Sequence, residues 1–130
     1  MIGRMKPYAV TVDERLSRGT DPGRDYRTRC YEMAWRYLTD HCEDEPALRL
    51  VHGTLHIVGR PFPHAWVELP GNIVFDPVDQ RFYTREDYDR ELQATAEAIY
   101  PPVQVEQWSL QTNHYGPWPD TTLRAHQAST

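Results

Sequence analysis

Cys30, His64 and Asp76 are the side chains of this sequence whose types could together carry out thiol acyl-transfer chemistry. A cysteine attacks a carbonyl as its thiolate, and the partial positive charge at a helix N-terminus favours that form. An imidazole must reach the sulfur to take its proton. A carboxylate must then hold the imidazole in the right tautomer and orientation. The second cysteine, Cys42, is not equivalent. Cys30 is expected in the first turn of a helix, whereas Cys42 falls at or past the end of that helix, where the dipole has the opposite sign.

The elements that would position these groups follow from periodicity. Cys30, Met33, Ala34, Tyr37 and Leu38 recur at helical spacing, which predicts a helix from Arg29 to about His41 with Thr28 as its N-cap. Strands are predicted over Leu48–Ile57, over His64–Leu69 (HAWVEL) and over Ile73–Val78 (IVFDPV). Pro70-Gly71-Asn72 supplies the turn that joins the last two as a hairpin, and Phe82-Tyr83 extends the sheet. The start of one hairpin strand lies opposite the end of its partner. His64 and Asp76, on either side of a turn centred near Gly71, are therefore expected as neighbours on one face. Trp66 shares that parity, to shield the imidazole–carboxylate pair or to fill the core; Glu68 also shares it but lies nearer the turn. The backbone N–H of Cys30 is the expected oxyanion donor. Tyr26, one turn upstream, is the candidate second donor, and with Trp66 it makes up the candidate substrate-binding set.

Beyond the hairpin, Thr84 and Asp87 form a capping-box pattern, predicting a helix to about Ile99 that Pro101-Pro102 stops. The alternation of Val103, Val105, Trp108 and Leu110 predicts a last strand. The aromatic-rich tail (Trp108, His114, Tyr115, Trp118) is expected to pack over the sheet, with a substrate cleft lined by exposed rings as the alternative. Residues 1–24 read as a loop-rich lead-in and residues 120–130 as a disordered tail. The order of elements indicates one α+β domain over residues 1–130 with an antiparallel sheet.

Composition narrows the partners. The 130 residues are 39% hydrophobic and 25% charged with a formal charge of −5, which disfavours nucleic acid, since phosphate binding needs surplus Lys and Arg. Arg24, Arg27 and Arg29 are interleaved with Asp21 and Asp25 and read as a mixed, solvated face. No stretch approaches the roughly 18 apolar residues that span a bilayer, and the opening MIGRMKPYAV has no apolar signal core. The expectation is a cytoplasmic protein with reduced thiols and no membrane or nucleic-acid partner. His52 and His56 would share a strand face, but no paired ligand spacing accompanies them. They are expected on a polar sheet face, with no metal or cofactor.

RCYEMAWRYL, LVHG, HAWVEL and IVFDPV together resemble the core of transglutaminase-like proteins, with HAWVEL, a turn and Asp-Pro as the most specific part. The resemblance implies a papain-like α+β fold, in which a helix opened by the cysteine packs on the sheet, with a second helix beside it. It places the three catalytic roles on Cys30, His64 and Asp76. Tyr31 follows Cys30 where crosslinking transglutaminases carry tryptophan, so hydrolysis or acyl transfer at an amide, isopeptide or thioester bond is expected rather than crosslinking. The substrate would be a protein or peptide, or a small amide or thioester. Small bacterial and phage proteins with a Cys-Tyr start and an HAW strand look similar overall; the leader peptidases of lasso-peptide maturation are similar more loosely. The alternative is a binding or inhibitor protein on the same fold. The complete Cys/His/Asp set favours the enzyme.

Overall fold

The computed structural model describes residue 10 and residues 12–118. The tail over residues 120–130 and the first part of the lead-in lie outside the described residues. One antiparallel sheet contains β1 (Arg49–Ile57), β2 (Arg60–Leu69), β3 (Ile73–Asp76), β4 (Arg81–Thr84) and β5 (Thr95–Tyr100), in the order β4-β3-β2-β1-β5. The helices are α1 (Glu14–Ser17), α2 (Cys30–His41), α3 (Arg85–Leu92) and α4 (Pro102–Thr112), so the chain is α+β. Among the described residues, no helix is long and apolar enough to cross a membrane.

The sheet is covered on both faces. On one, Ala34, Tyr37 and Leu38 of α2 and Val105 of α4 pack against Leu50, Val67 and Phe75. On the other, Tyr88 and Leu92 of α3 cover Val51, Trp66 and Val74. The central strand β2 is thus enclosed from both sides, and Ala65, Trp66 and Val67 are 0%, 2% and 0% exposed. The Pro70–Asn72 turn pairs Leu69 with Ile73, as its chemistry predicts. At the other end of β2, Val58 and Gly59 (φ 51° and 72°) make a two-residue turn in the left-handed geometry that hairpins favour. β2 begins at Arg60, earlier than expected, and so includes Pro61 and Pro63. β3 pairs β2 only from Val67 to Leu69, so both prolines lie where a missing N–H costs no second ladder.

Two expected elements are different. The helix after Thr84 ends at Leu92, Gln93 turns left-handed (φ 46°), and Thr95–Tyr100 forms β5 against β1. Ala and Glu in that segment favour a helix locally, and cross-strand pairing with β1 overrides the preference. The predicted last strand is the helix α4, with Pro102 in its first turn, where its missing N–H is not needed. Val105 and Trp108, three apart, face the core, whereas Val103 and Leu110 are 61% and 74% exposed. The lead-in is not all loop either. Asp13 caps the single turn α1, and Tyr37 Oη donates to Leu16 O at 2.6 Å.

The aromatic tail packs over the sheet: Trp118 lies 5.0 Å from Tyr100 and 5.1 Å from His52, ring centroid to centroid. His52 is therefore enclosed, 5% exposed, rather than on a polar face, and neither ring nitrogen has a hydrogen-bond partner. His56 is less buried and bonds Gln93 O at 3.3 Å. Burial pushes His52 down to about 4. The unfolded chain, with an ordinary imidazole near 6.5, binds that proton more tightly, so stability falls as pH drops from about 6.5 towards about 4. The full loss is roughly 3 kcal/mol. Urea unfolding at several pH values in that range should show it, and His52→Leu should flatten the slope. An unchanged slope in the variant would place the acid sensitivity elsewhere.

Candidate active site

Cys30 opens α2 after a 3-10 turn over Arg27–Arg29. The N-cap position is Arg29, not Thr28, and no side chain caps the helix. Arg29 instead pairs with Glu32 at 2.8 Å, and the neighbouring arginines are paired too, Arg24 with Asp21 at 3.5 Å and Arg27 with Asp25 at 2.8 Å. The mixed face expected of this cluster is what forms. Cys42 is the C-cap of α2, its thiol directed to Thr39 O, and both cysteines are free. Burial comes first among the causes that raise Cys42 above the usual thiol range, followed among the raising causes by the charges of Glu43 and Glu106.

The hairpin register brings His64 and Asp76 together. Val67 pairs with Phe75, so Asp76 falls opposite Trp66 and its carboxylate reaches His64 on the diagonal. His64 Nε2 lies 2.8 Å from Asp76 Oδ2, and the two side chains are 6% and 0% exposed. Asp76 is further held by the Val78 N–H, which donates to Oδ1 at 2.7 Å, and by the Tyr88 hydroxyl, which donates to Oδ2. Burial works against a charged imidazole. The charge and hydrogen bond of Asp76, with a hydrogen bond and charge from Cys30, outweigh it and raise His64 above its ordinary value. Since Asp76 occupies Nε2, Nδ1 is the nitrogen left for the thiol. All three predicted residues therefore converge.

The place where they meet is a notch in the sheet. β3 ends at Asp76 while β2 continues, and Cys30, Pro63, His64 and Val78 line one cavity of about 440 Å³ there. The lead-in frames it, because the Gly23 N–H donates to Asp79 O at 2.9 Å and the Tyr26 N–H to Val78 O at 3.0 Å. Asp79 also lines the cavity; burial pushes it up to about 6, against the hydrogen bond from Tyr83.

The two expected substrate-binding residues lie elsewhere. Trp66 stacks 6.1 Å from His64 but is 2% exposed, so it underlies the pair and offers no surface to a ligand. Tyr26 donates its hydroxyl to Asp21 at 3.3 Å and is not a lining residue of the cavity. Glu68 pairs with Arg85 at 3.7 Å and takes no part. Two contributors escaped the sequence reading. Tyr88, which follows the Thr84–Asp87 cap on the inner side of α3, secures Asp76. Gly53 lies opposite His64, where a Cβ would sit 2.2 Å from Thr95 O and 2.7 Å from the Trp66 ring. A glycine inside a strand pattern signals such a close approach, and was the clue to it.

No family model, curated protein or solved structure matches this chain.

Proposed function

We propose that this protein is a cysteine hydrolase or acyltransferase that acts on an amide, isopeptide or thioester bond of a protein, a peptide or a smaller molecule, on a transglutaminase-like, papain-like core. The observation that carries the proposal is the buried His64–Asp76 pair at 2.8 Å, with Cys30 at the opening of α2 lining the same cavity as His64. Cys30 gives its proton to His64, and the sulfur attacks the substrate carbonyl to form a tetrahedral intermediate. No side chain caps α2, and the backbone N–H of Cys30 in its first turn is the candidate donor to the developing oxyanion. Collapse breaks the C–N or C–S bond, and the His64 imidazolium protonates the leaving group. In the second half, His64 takes a proton from water or an acceptor amine. The oxygen or nitrogen attacks the Cys30 thioester, and release of the acyl product returns the thiol. Asp76 orients the ring throughout. Two free thiols suit a reducing, cytoplasmic compartment.

Alkylation by iodoacetamide, followed at each cysteine by peptide mass spectrometry across about pH 5.5 to 9, tests this. Cys30 should react rapidly near pH 6, where an ordinary thiol of pKa about 8.5 is almost wholly protonated. Cys42 should be slow there and rise only in alkali. If Cys30 follows the titration of an ordinary thiol, the chain is not an enzyme of this kind.

A further inference from the structure

The cavity beside Cys30 has one charged side and one apolar side. Arg24, Asp25, Arg27 and Asp79 form the first, and each arginine already faces a carboxylate, Asp21 or Asp25. The two arginine charges are thereby offset at the mouth. The apolar side is the outer half of the β1–β2 hairpin. Register pairs Gly53 with His64, Leu55 with Phe62 and Ile57 with Arg60, so Leu55, Ile57 and Phe62 lie on the same sheet face as the His64 imidazole. From the level of His64 to that of Ile57 is four residues, about 13 Å of strand.

That apolar side exceeds what the fold requires. Phe62 is 37% exposed although it lines the cavity, and Val58 at the hairpin tip is 86% exposed. Val58 also occupies a left-handed position (φ 51°) where Asn, Asp or Gly are preferred and a β-branched residue is disfavoured. Apolar surface that continues from a reactive cysteine, framed by neutralised charges, suits an uncharged apolar ligand.

On the footing of the acyl-transfer function proposed above, we infer that the acyl group delivered to Cys30 is apolar and uncharged, and that it lies along the Phe62–Leu55–Ile57 face. The specificity of the reaction then resides in the hairpin rather than in the arginine-rich lead-in. Acylation of Cys30 by a p-nitrophenyl ester forms the S–C(O) bond, breaks the ester C–O bond and releases p-nitrophenolate, with the thiol proton passing to His64.

The test compares the p-nitrophenyl esters of acetate, hexanoate and succinate as acyl donors. Release of p-nitrophenolate is corrected for the Cys30→Ala protein and normalised to the reaction of each ester with N-acetylcysteine. Hexanoate should acylate Cys30 at least about tenfold faster than acetate, the scale of discrimination a hydrophobic pocket provides. Succinate, of similar length but anionic, should be at least about tenfold slower than hexanoate. Phe62→Ser should narrow the hexanoate-to-acetate ratio. Equal rates for the esters, a succinate rate matching hexanoate, or no ester reaction while iodoacetamide labels Cys30 rapidly would each overturn the inference and leave the thiol chemistry standing. Loss of rapid iodoacetamide labelling as well would instead remove the acyl-transfer function beneath it.

Discussion

Replacing His64 with alanine is expected to slow iodoacetamide alkylation of Cys30 about a hundredfold near pH 6.5, while Cys42 keeps its wild-type rate. The size of the effect comes from the ionisation of the sulfur. Without an imidazolium beside it, a thiol with an ordinary pKa near 8.5 is only about 1% thiolate at that pH. In the folded protein the charge and hydrogen bond of Asp76 raise His64 above its ordinary value despite its burial, which favours a positive ring on the cavity that Cys30 also lines. The variant should therefore change the shape of the rate–pH profile as well as its height, from a plateau at neutral pH to a rise into alkali. A loss of packing alone would not reshape the profile. Because alanine also leaves the buried Asp76 carboxylate without its partner, His64→Gln belongs beside it: its amide can still donate to Asp76 but cannot accept a proton. Both variants should give the same profile. A plateau that survives in either protein would mean that His64 does not ionise Cys30.

The parts of this site that could be read from sequence are those set by local chemistry. The 3.6-residue spacing from Cys30 to Leu38 predicts α2 to within one residue at its start, because one helix face must meet the sheet. Turn residues Pro70, Gly71 and Asn72 determine the register of β2 with β3, and register alone brings Asp76 to His64. The features that were not legible depend on distant chain. Thr95–Tyr100 becomes a strand only because β1, some forty residues earlier, offers an edge. Its own Ala and Glu point to a helix. Trp66 and Tyr26 have suitable types and positions in sequence. Whether they face the cavity depends on the packing of α3 over one and the course of the lead-in around the other, and neither has a periodic signature. His52 looks like a polar residue on an alternating strand until Tyr31, Tyr100 and Trp118 close over it.

Asp76→Asn should be nearly as damaging to reactivity as loss of His64, although asparagine has almost the same shape. The carboxylate accepts from His64 Nε2 and the Tyr88 hydroxyl on one oxygen and from the Val78 N–H on the other. An amide offers one acceptor oxygen in place of two, so either its NH₂ meets the Tyr88 and His64 donors or it meets the Val78 N–H. In the first orientation the imidazole relieves the conflict by accepting at Nε2 and carrying its proton on Nδ1, the nitrogen that must take the proton from Cys30. The ring is then neutral and in the wrong tautomer, and alkylation near pH 6.5 should fall by at least about tenfold. Asp76→Ala removes every acceptor from a fully buried position and should cost about 3–5 kcal/mol of stability, measured by urea unfolding. Linkage gives that stability a direction. His64 titrates above its ordinary value in the folded protein, so the pair's contribution is complete below the unfolded imidazole value of about 6.5 and is lost as pH rises through the folded value. The gap in unfolding free energy between wild type and Asp76→Asn should therefore be widest near pH 6 and shrink in alkali. A gap that widens with pH would show that His64 is neutral in the folded protein and that the pair does not supply the charge the thiolate needs.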